Sequence, residues 1–225
     1  AIYYWEWLLT LWWSLLPRSL REKRLASEFR RRVYPGQQVH TVFLKSGRAC
    51  IRAVLESLQE SDPERKTVFV PDYICDVVYR ACLDAGWEVR AYETNDDFIP
   101  NWAPLAHALR ETPRPVLIIA SLFGSVPMRD ETEVATLFAA NSKLYVIADE
   151  CQNLVEDSAI IPNDRTAVVF SFNDKTCPGL MGGVCSVTPK LAEGFPGVAG
   201  QKCRVAVQLC LTGMLLKRIM RDTAE

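Results

Sequence analysis

Histidine is nearly missing from this chain: His40 and His107 stand apart in 225 residues. Eight cysteines are present, but no CxxC pair and no Cys/His cluster occurs among them, so a metal centre is not expected. Charge of one sign is also missing, with 26 Lys and Arg against 27 Asp and Glu and a formal net charge of −1. That balance excludes polyanion binding as the main task, and no nucleic-acid partner is expected. Neither an internal repeat nor a low-complexity linker is visible. The apolar run at residues 2–16, IYYWEWLLTLWWSLL, stops at Pro17 and is shorter than the roughly 20 residues needed to cross a bilayer.

That run carries four tryptophans and one acid, Glu6, and Arg18, Arg21, Lys23 and Arg24 follow it directly. Aromatic residues favour the membrane interface and basic residues favour its surface, so one reading is peripheral membrane contact through 2–16. The other is a docked helix or a clipped end. A cleaved signal peptide does not fit, because the basic residues come after the apolar run. Most cysteines sit in apolar runs, as buried thiols do in a reducing compartment, so an intracellular, cytoplasmic location is expected. The chain begins with Ala1 and stops at Thr223-Ala224-Glu225 after an apolar helix-like run, and the expectation is a piece of a longer protein.

Residues 19–32 read as a helix with a basic face, and Val39–Leu44 as a short strand. Ser46 is placed as the N-cap of a helix whose apolar positions Cys50, Ile51, Val54, Leu55 and Leu58 recur at helical spacing. Strands at Thr67–Val70, Trp87–Tyr92, 115–120 and Lys143–Ala148 then alternate with helices at 74–85, 103–111 and 130–141. Val168 to Phe170 and GVCSV add two more strands, and Lys202 to Met220 reads as an apolar helix. Fully apolar strands alternating with helices predict an α/β fold, a mostly parallel sheet with helices on both faces. The expected division is an N-terminal segment 1–39, a large domain 40–188 and a C-terminal helical segment 189–225.

Three loops of that sheet carry residue types that suit one ligand. Ser46-Gly47-Arg48 opens a helix, where free N–H groups and the helix dipole favour a phosphate; an ordinary N-cap reads the same way. Asp149 ends an apolar strand, and a carboxylate there either pairs with a protonated pyridine nitrogen or serves as a turn residue. Lys175 lies in a loop with Pro178, Gly179, Gly182 and Gly183, four residues after the hydroxyl of Ser171. An amine held at such a strand end suits Schiff-base chemistry, although a loop lysine is also commonly just solvated. Together the three loops suit pyridoxal 5'-phosphate.

The stretches SGRACIRAVL, VFVPDYICDVVYRACLDAGWEVRAYE, VLIIASLFGSVP, YVIADECQNLVED and VVFSFNDKTCPGLMGG, in this order, resemble the DegT/DnrJ-type aminotransferases of the fold-type I pyridoxal phosphate enzymes. The resemblance covers about residues 40 to 188. It implies phosphate contacts at Gly47, Arg48 and Ser171, a pyridine partner at Asp149, a residue against the ring at Gln152, and covalent attachment at Lys175. The position where family members stack an aromatic ring on the cofactor falls at Cys75, with Tyr73 and Tyr79 nearby as substitutes. Ser121 stands where many members have His, and the Ser171 to Lys175 interval is one residue shorter than usual.

The activity implied is amino transfer from an amino acid such as glutamate to a keto-sugar, nucleotide-linked, by a homodimer. A dehydratase acting on a similar sugar with the same cofactor is a second reading. A non-catalytic, membrane-associated relative is a third. The family's C-terminal small domain is not expected in a chain this short, so the piece alone is expected to hold the cofactor loops without being a competent enzyme.

Overall fold

The computed structural model describes residues 17–123, 125–153, 160–172, 182–193 and 195. The runs 2–16 and 202–220 and the loop containing Lys175, Pro178 and Gly179 lie outside the described residues. Helix α1 (Arg18–Val33) comes first, followed by β1 (His40–Leu44), α2 (Gly47–Ser61), β2 (Thr67–Pro71), α3 (Asp76–Asp84) and β3 (Glu88–Tyr92). Then come α4 (Trp102–Glu111), β4 (Val116–Ala120), a 3-10 turn (Pro127–Arg129), α5 (Glu131–Ala140), β5 (Tyr145–Asp149), β6 (Thr166–Ser171), β7 (Gly183–Val187) and the short α6 (Pro189–Ala192).

The strands form one seven-stranded sheet in the order β1-β7-β6-β5-β4-β2-β3. β6, β5, β4, β2 and β3 are paired in parallel, whereas β7 runs antiparallel to both β6 and β1. The sheet is therefore mostly parallel, as the alternation of apolar strands and helices requires. Successive residues of each strand point to opposite faces. Val68, Val70, Val116, Ile118, Ile147 and Val169 pack on one side against Cys50, Ile51, Val54 and Leu55 of α2 and Val78 and Cys82 of α3. Their neighbours Phe69, Leu117, Ile119 and Val146 pack on the other side against Leu105 and Leu109 of α4 and Leu137 of α5. A strand buried on both faces has no polar side to show, which is why VLIIA and YVIAD read as continuous apolar runs.

Helix α1 belongs to this structure rather than standing apart. Its Phe29 is 1% exposed and packs edge-on against Phe43, Tyr34 and Phe170, so the residues before 40 complete the second face of the sheet. Of the basic residues expected on 19–32, Lys23, Arg24 and Arg31 are exposed on the side away from that contact, whereas Arg30 is half-buried and donates to the Val39 carbonyl at 3.4 Å.

β7 positions the site through a close backbone approach. A Cβ on Gly183 would lie 2.5 Å from the backbone nitrogen of Gly47 and would collide with the carbonyl carbon of Ser46. Only a residue without a side chain lets the first residue of β7 lie against the start of α2. Gly183→Ala is expected to lower stability by about 1–3 kcal/mol through forced backbone displacement. The urea midpoint of the variant measures it, and an unchanged midpoint would show that the 46–47 loop moves freely.

Candidate active site at the carboxyl ends of the strands

In the sheet order, β4 lies between β2 and β5, so the strands before it and after it are wound in opposite directions from this point. Open α/β sheets bind ligands outside the carboxyl ends of the strands at such a switch. A cavity of about 250 Å³ lies there, lined from the β2 side by Ile74, Cys75, Val77 and Val78, and from the β4 to β6 side by Ser121, Leu122, Asp149, Cys151, Gln152 and Ser171. Ser46, Gly47, Arg48 and Ile51 at the start of α2 close it.

Each polar member is held by a local cause. Ser46 is extended, and its hydroxyl accepts from the N–H of Ala49 at 3.2 Å. This fixes the start of α2 and leaves its first N–H groups directed out of the helix end. Gly47 is the tightest point: a Cβ there would lie 2.5 Å from the Cys151 sulfur and 3.2 Å from Cβ of Ser171. One glycine thus brings α2 into contact with the ends of both β5 and β6. Asp149 is the last residue of β5 and is 6% exposed. Its carboxylate accepts from the N–H of Cys151 at 3.1 Å, and its carbonyl accepts from the N–H of Ser121 at 3.0 Å. Ser171 ends β6 opposite Gly183. Gln152 is exposed at the rim, where its side-chain oxygen accepts from the N–H of Phe123 at 3.4 Å.

Gly47, Arg48, Asp149, Gln152, Ser171 and Cys75 therefore line one cavity, whereas Lys175 falls outside the described residues. Tyr73 and Tyr79, expected as substitutes for a stacking ring, are not among the residues that line this cavity. The Tyr73 ring turns instead to Phe98 and Phe123, 5.1 and 6.3 Å between ring centroids, and Tyr79 is 41% exposed on α3. The helical period explains this, because Val78 faces the core and its neighbour Tyr79 is carried outward. On this wall the groups beside the thiol of Cys75 are aliphatic.

Glu150 is the residue that sequence reasoning passed over. It is fully buried, and its two carboxylate oxygens accept from the Ser121 hydroxyl and the Asn153 amide, each at 2.7 Å. Its backbone N–H donates to Val169 at 2.8 Å. A charged residue after an apolar strand reads as a loop residue, and only the position of Ser121 at the neighbouring strand end shows its use. Burial pushes the Glu150 carboxyl above its ordinary 4.5, and the adjacent Asp149 adds to the effect, against the two hydrogen bonds and Arg129.

No family model matches the chain, and no curated protein sequence does. Solved structures do match. DesV of S. venezuelae superposes with a TM-score of 0.67 over 92% of this chain and 58% of its own, at 19% identity. YbdL of Escherichia coli, described with a methionine aminotransferase function, gives 0.64 over 88% and 56% at 18% identity. PseC of Helicobacter pylori, an aminotransferase involved in the biosynthesis of pseudoaminic acid, gives 0.63 over 78% and 46% at 15% identity.

The fold is that of a pyridoxal phosphate aminotransferase large domain. The chain spans 46% to 58% of the length of these three structures. Among the described residues no group of His, Cys, Asp and Glu is arranged to hold a metal ion, and no helix is long and apolar enough to cross a membrane.

Replacing Glu150 tests its place in the site. Glu150→Ala leaves the Ser121 hydroxyl and the Asn153 amide without their acceptors, an expected loss of about 1–3 kcal/mol. Because the folded carboxyl titrates above 4.5, the folded state keeps a proton that the unfolded chain has released. The contribution of Glu150 to stability is full below 4.5 and declines as pH rises through its folded value. Glu150→Gln, which cannot ionise, is expected to flatten that decline in urea midpoints measured against pH. Parallel profiles for the two proteins would remove the buried carboxylate from this account.

Proposed function

We propose that this chain holds pyridoxal 5'-phosphate in the cavity at the ends of β4, β5 and β6 and forms the cofactor-binding part of an aminotransferase. The observation that carries the reading is the convergence of one buried carboxylate, one hydroxyl and one helix start on a single cavity. The donor set fits the group: the missing Cβ of Gly47 lets Ser171 lie against the start of α2, so that hydroxyl and the helix start border the same cavity, Asp149 offers a fixed carboxylate, and Ile74, Val77 and Val78 offer an apolar wall to a planar ring. When bound, pyridoxal phosphate supplies an electron sink for the amino acid's α-carbon.

The chain's own residues then have distinct roles. The N–H groups at Gly47 and Arg48 and the Ser171 hydroxyl bind the phosphate. Asp149 holds a proton at the pyridine nitrogen by charge pairing, and its bond from the Cys151 N–H keeps the carboxylate in place. Gln152 would lie against the ring. Lys175 would supply the amine that holds the cofactor, and the same amine, once released, would serve as general base and acid toward the bound amino acid. A lysine amine titrates near 10.4 when free, so this role requires a site that lowers its proton affinity.

The substrate class proposed is an amino acid donor with a keto-sugar acceptor, nucleotide-linked. Its support is the order of the DegT/DnrJ-like motifs; the structural likeness to PseC, an aminotransferase involved in the biosynthesis of pseudoaminic acid, supports amino transfer in general. A homodimer is proposed for the whole protein on the same resemblance.

The test is titration of the whole protein with pyridoxal phosphate. A visible absorption band that borohydride abolishes is expected for the parent. In Lys175→Ala that band and all amino transfer are expected to disappear while the fold is kept. In Asp149→Ala binding is expected to persist, with turnover slower by several powers of ten, each corresponding to about 1.4 kcal/mol in the barrier. Persistence of both band and turnover in Lys175→Ala would assign the chemistry to another lysine.

A further inference from the structure

Helix α1 has two faces of opposed character. Ala26, Phe29 and Val33 fall on one side at helical spacing and turn towards the sheet, Phe29 being 1% exposed. On the opposite side, Leu20, Lys23, Arg24, Ser27 and Arg31 are all exposed, with Leu20 at 47% and the Arg31 side chain at 66%. The helix carries seven Lys and Arg against two Glu, which leaves 19 Lys and Arg against 25 Asp and Glu for the rest of the chain. A nearly neutral protein thus concentrates positive charge on one helix of an otherwise acidic molecule.

Arg30, Arg31 and Arg32 occupy the last turn, where cations complement the helix dipole, and Glu28 pairs with Arg31 at 2.7 Å and Arg32 at 2.6 Å. Lys23 and Arg24 lie beyond the first turn and are exposed, and the first turn has neither an acidic residue nor a side-chain cap. Beyond the last turn an open cleft of about 460 Å³ continues the same surface between Ser27, Arg30, Arg31 and His40. In sequence, the helix is preceded directly by the run 2–16 with its four tryptophans.

We propose that the outward face of α1 is a docking surface for an anionic lipid bilayer. The occupant follows from the charge and from the neighbouring sequence. Basic side chains close to an anionic leaflet each add to binding, an aromatic apolar run adjoining them suits the interface of that same bilayer, and Leu20 adds apolar surface on the basic face itself. A nucleic acid would use the charge but not the apolar run. The cavity at the carboxyl ends of the strands is lined by other residues.

Flotation of the whole chain with vesicles tests the proposal, independently of any cofactor. Vesicles of equal parts phosphatidylcholine and phosphatidylserine are expected to carry the protein upward, phosphatidylcholine alone is not, and added salt is expected to release it. Lys23→Gln with Arg24→Gln should weaken binding by about fivefold per charge removed. Circular dichroism on the variant checks that α1 is retained, and the salt series reads the same electrostatics without any substitution. Equal flotation with neutral vesicles, salt-independent binding, or absence of flotation with both vesicle types would each overturn the proposal.

Discussion

The contact on which the rest depends is the backbone packing of β7 against the start of α2, with Gly183 lying on Ser46 and Gly47. Two absent side chains make it possible. Gly183 admits the loop to the end of the sheet, and Gly47 then admits the Cys151 sulfur and Ser171. Through these contacts the ends of β5, β6 and β7 and the N-terminus of α2 share one small volume. A methyl group at either position would separate the helix N–H groups from the carboxylate of Asp149. The antiparallel β7 is needed for the same reason, since only a strand running back from the site can start beside Gly47 and finish at Val187 beside the start of β1.

A second constraint is electrostatic. Asp149 and Glu150 are adjacent and both buried, and two like charges in that setting oppose each other. The structure resolves this by giving them different surroundings. Asp149 faces the cavity, whereas Glu150 turns away to receive Ser121 and Asn153. The Ser121 hydroxyl is one of the two bonds that anchor Glu150. Ser121 is therefore part of the support of the β5 turn as well as of the cavity wall, and a substitution there would disturb both.

Docking of α1 adds a third relation, between the site-bearing sheet and the N-terminal part of the chain. Phe29 seals the face of β6 and β7 that α4 and α5 do not reach. The inward side of α1 is thus committed to the core, and its charge is necessarily presented outward. A single helix in this way closes the domain and gives it a basic surface.

The sequence by itself determined the architecture. Continuous apolar strands cannot be half-solvated, and their alternation with helices leaves a covered, mostly parallel sheet as the solution, with boundaries within a few residues of those observed. It also determined Ser46 as a cap, and marked Gly47, Arg48, Asp149, Gln152 and Ser171 as candidates, because residues at strand and helix ends follow from the periodicity. Tertiary structure alone decided which of these share a cavity, because strand order brings β4, β5 and β6 side by side while their sequence separations say nothing of that order. Helix phase decided that Tyr79 turns outward, and a loop contact with Phe98 and Phe123 drew Tyr73 away from the cavity. Burial of Glu150 was equally invisible, since a carboxylate after a strand reads as solvated until its two donors, one of them 29 positions earlier in the chain, are placed beside it.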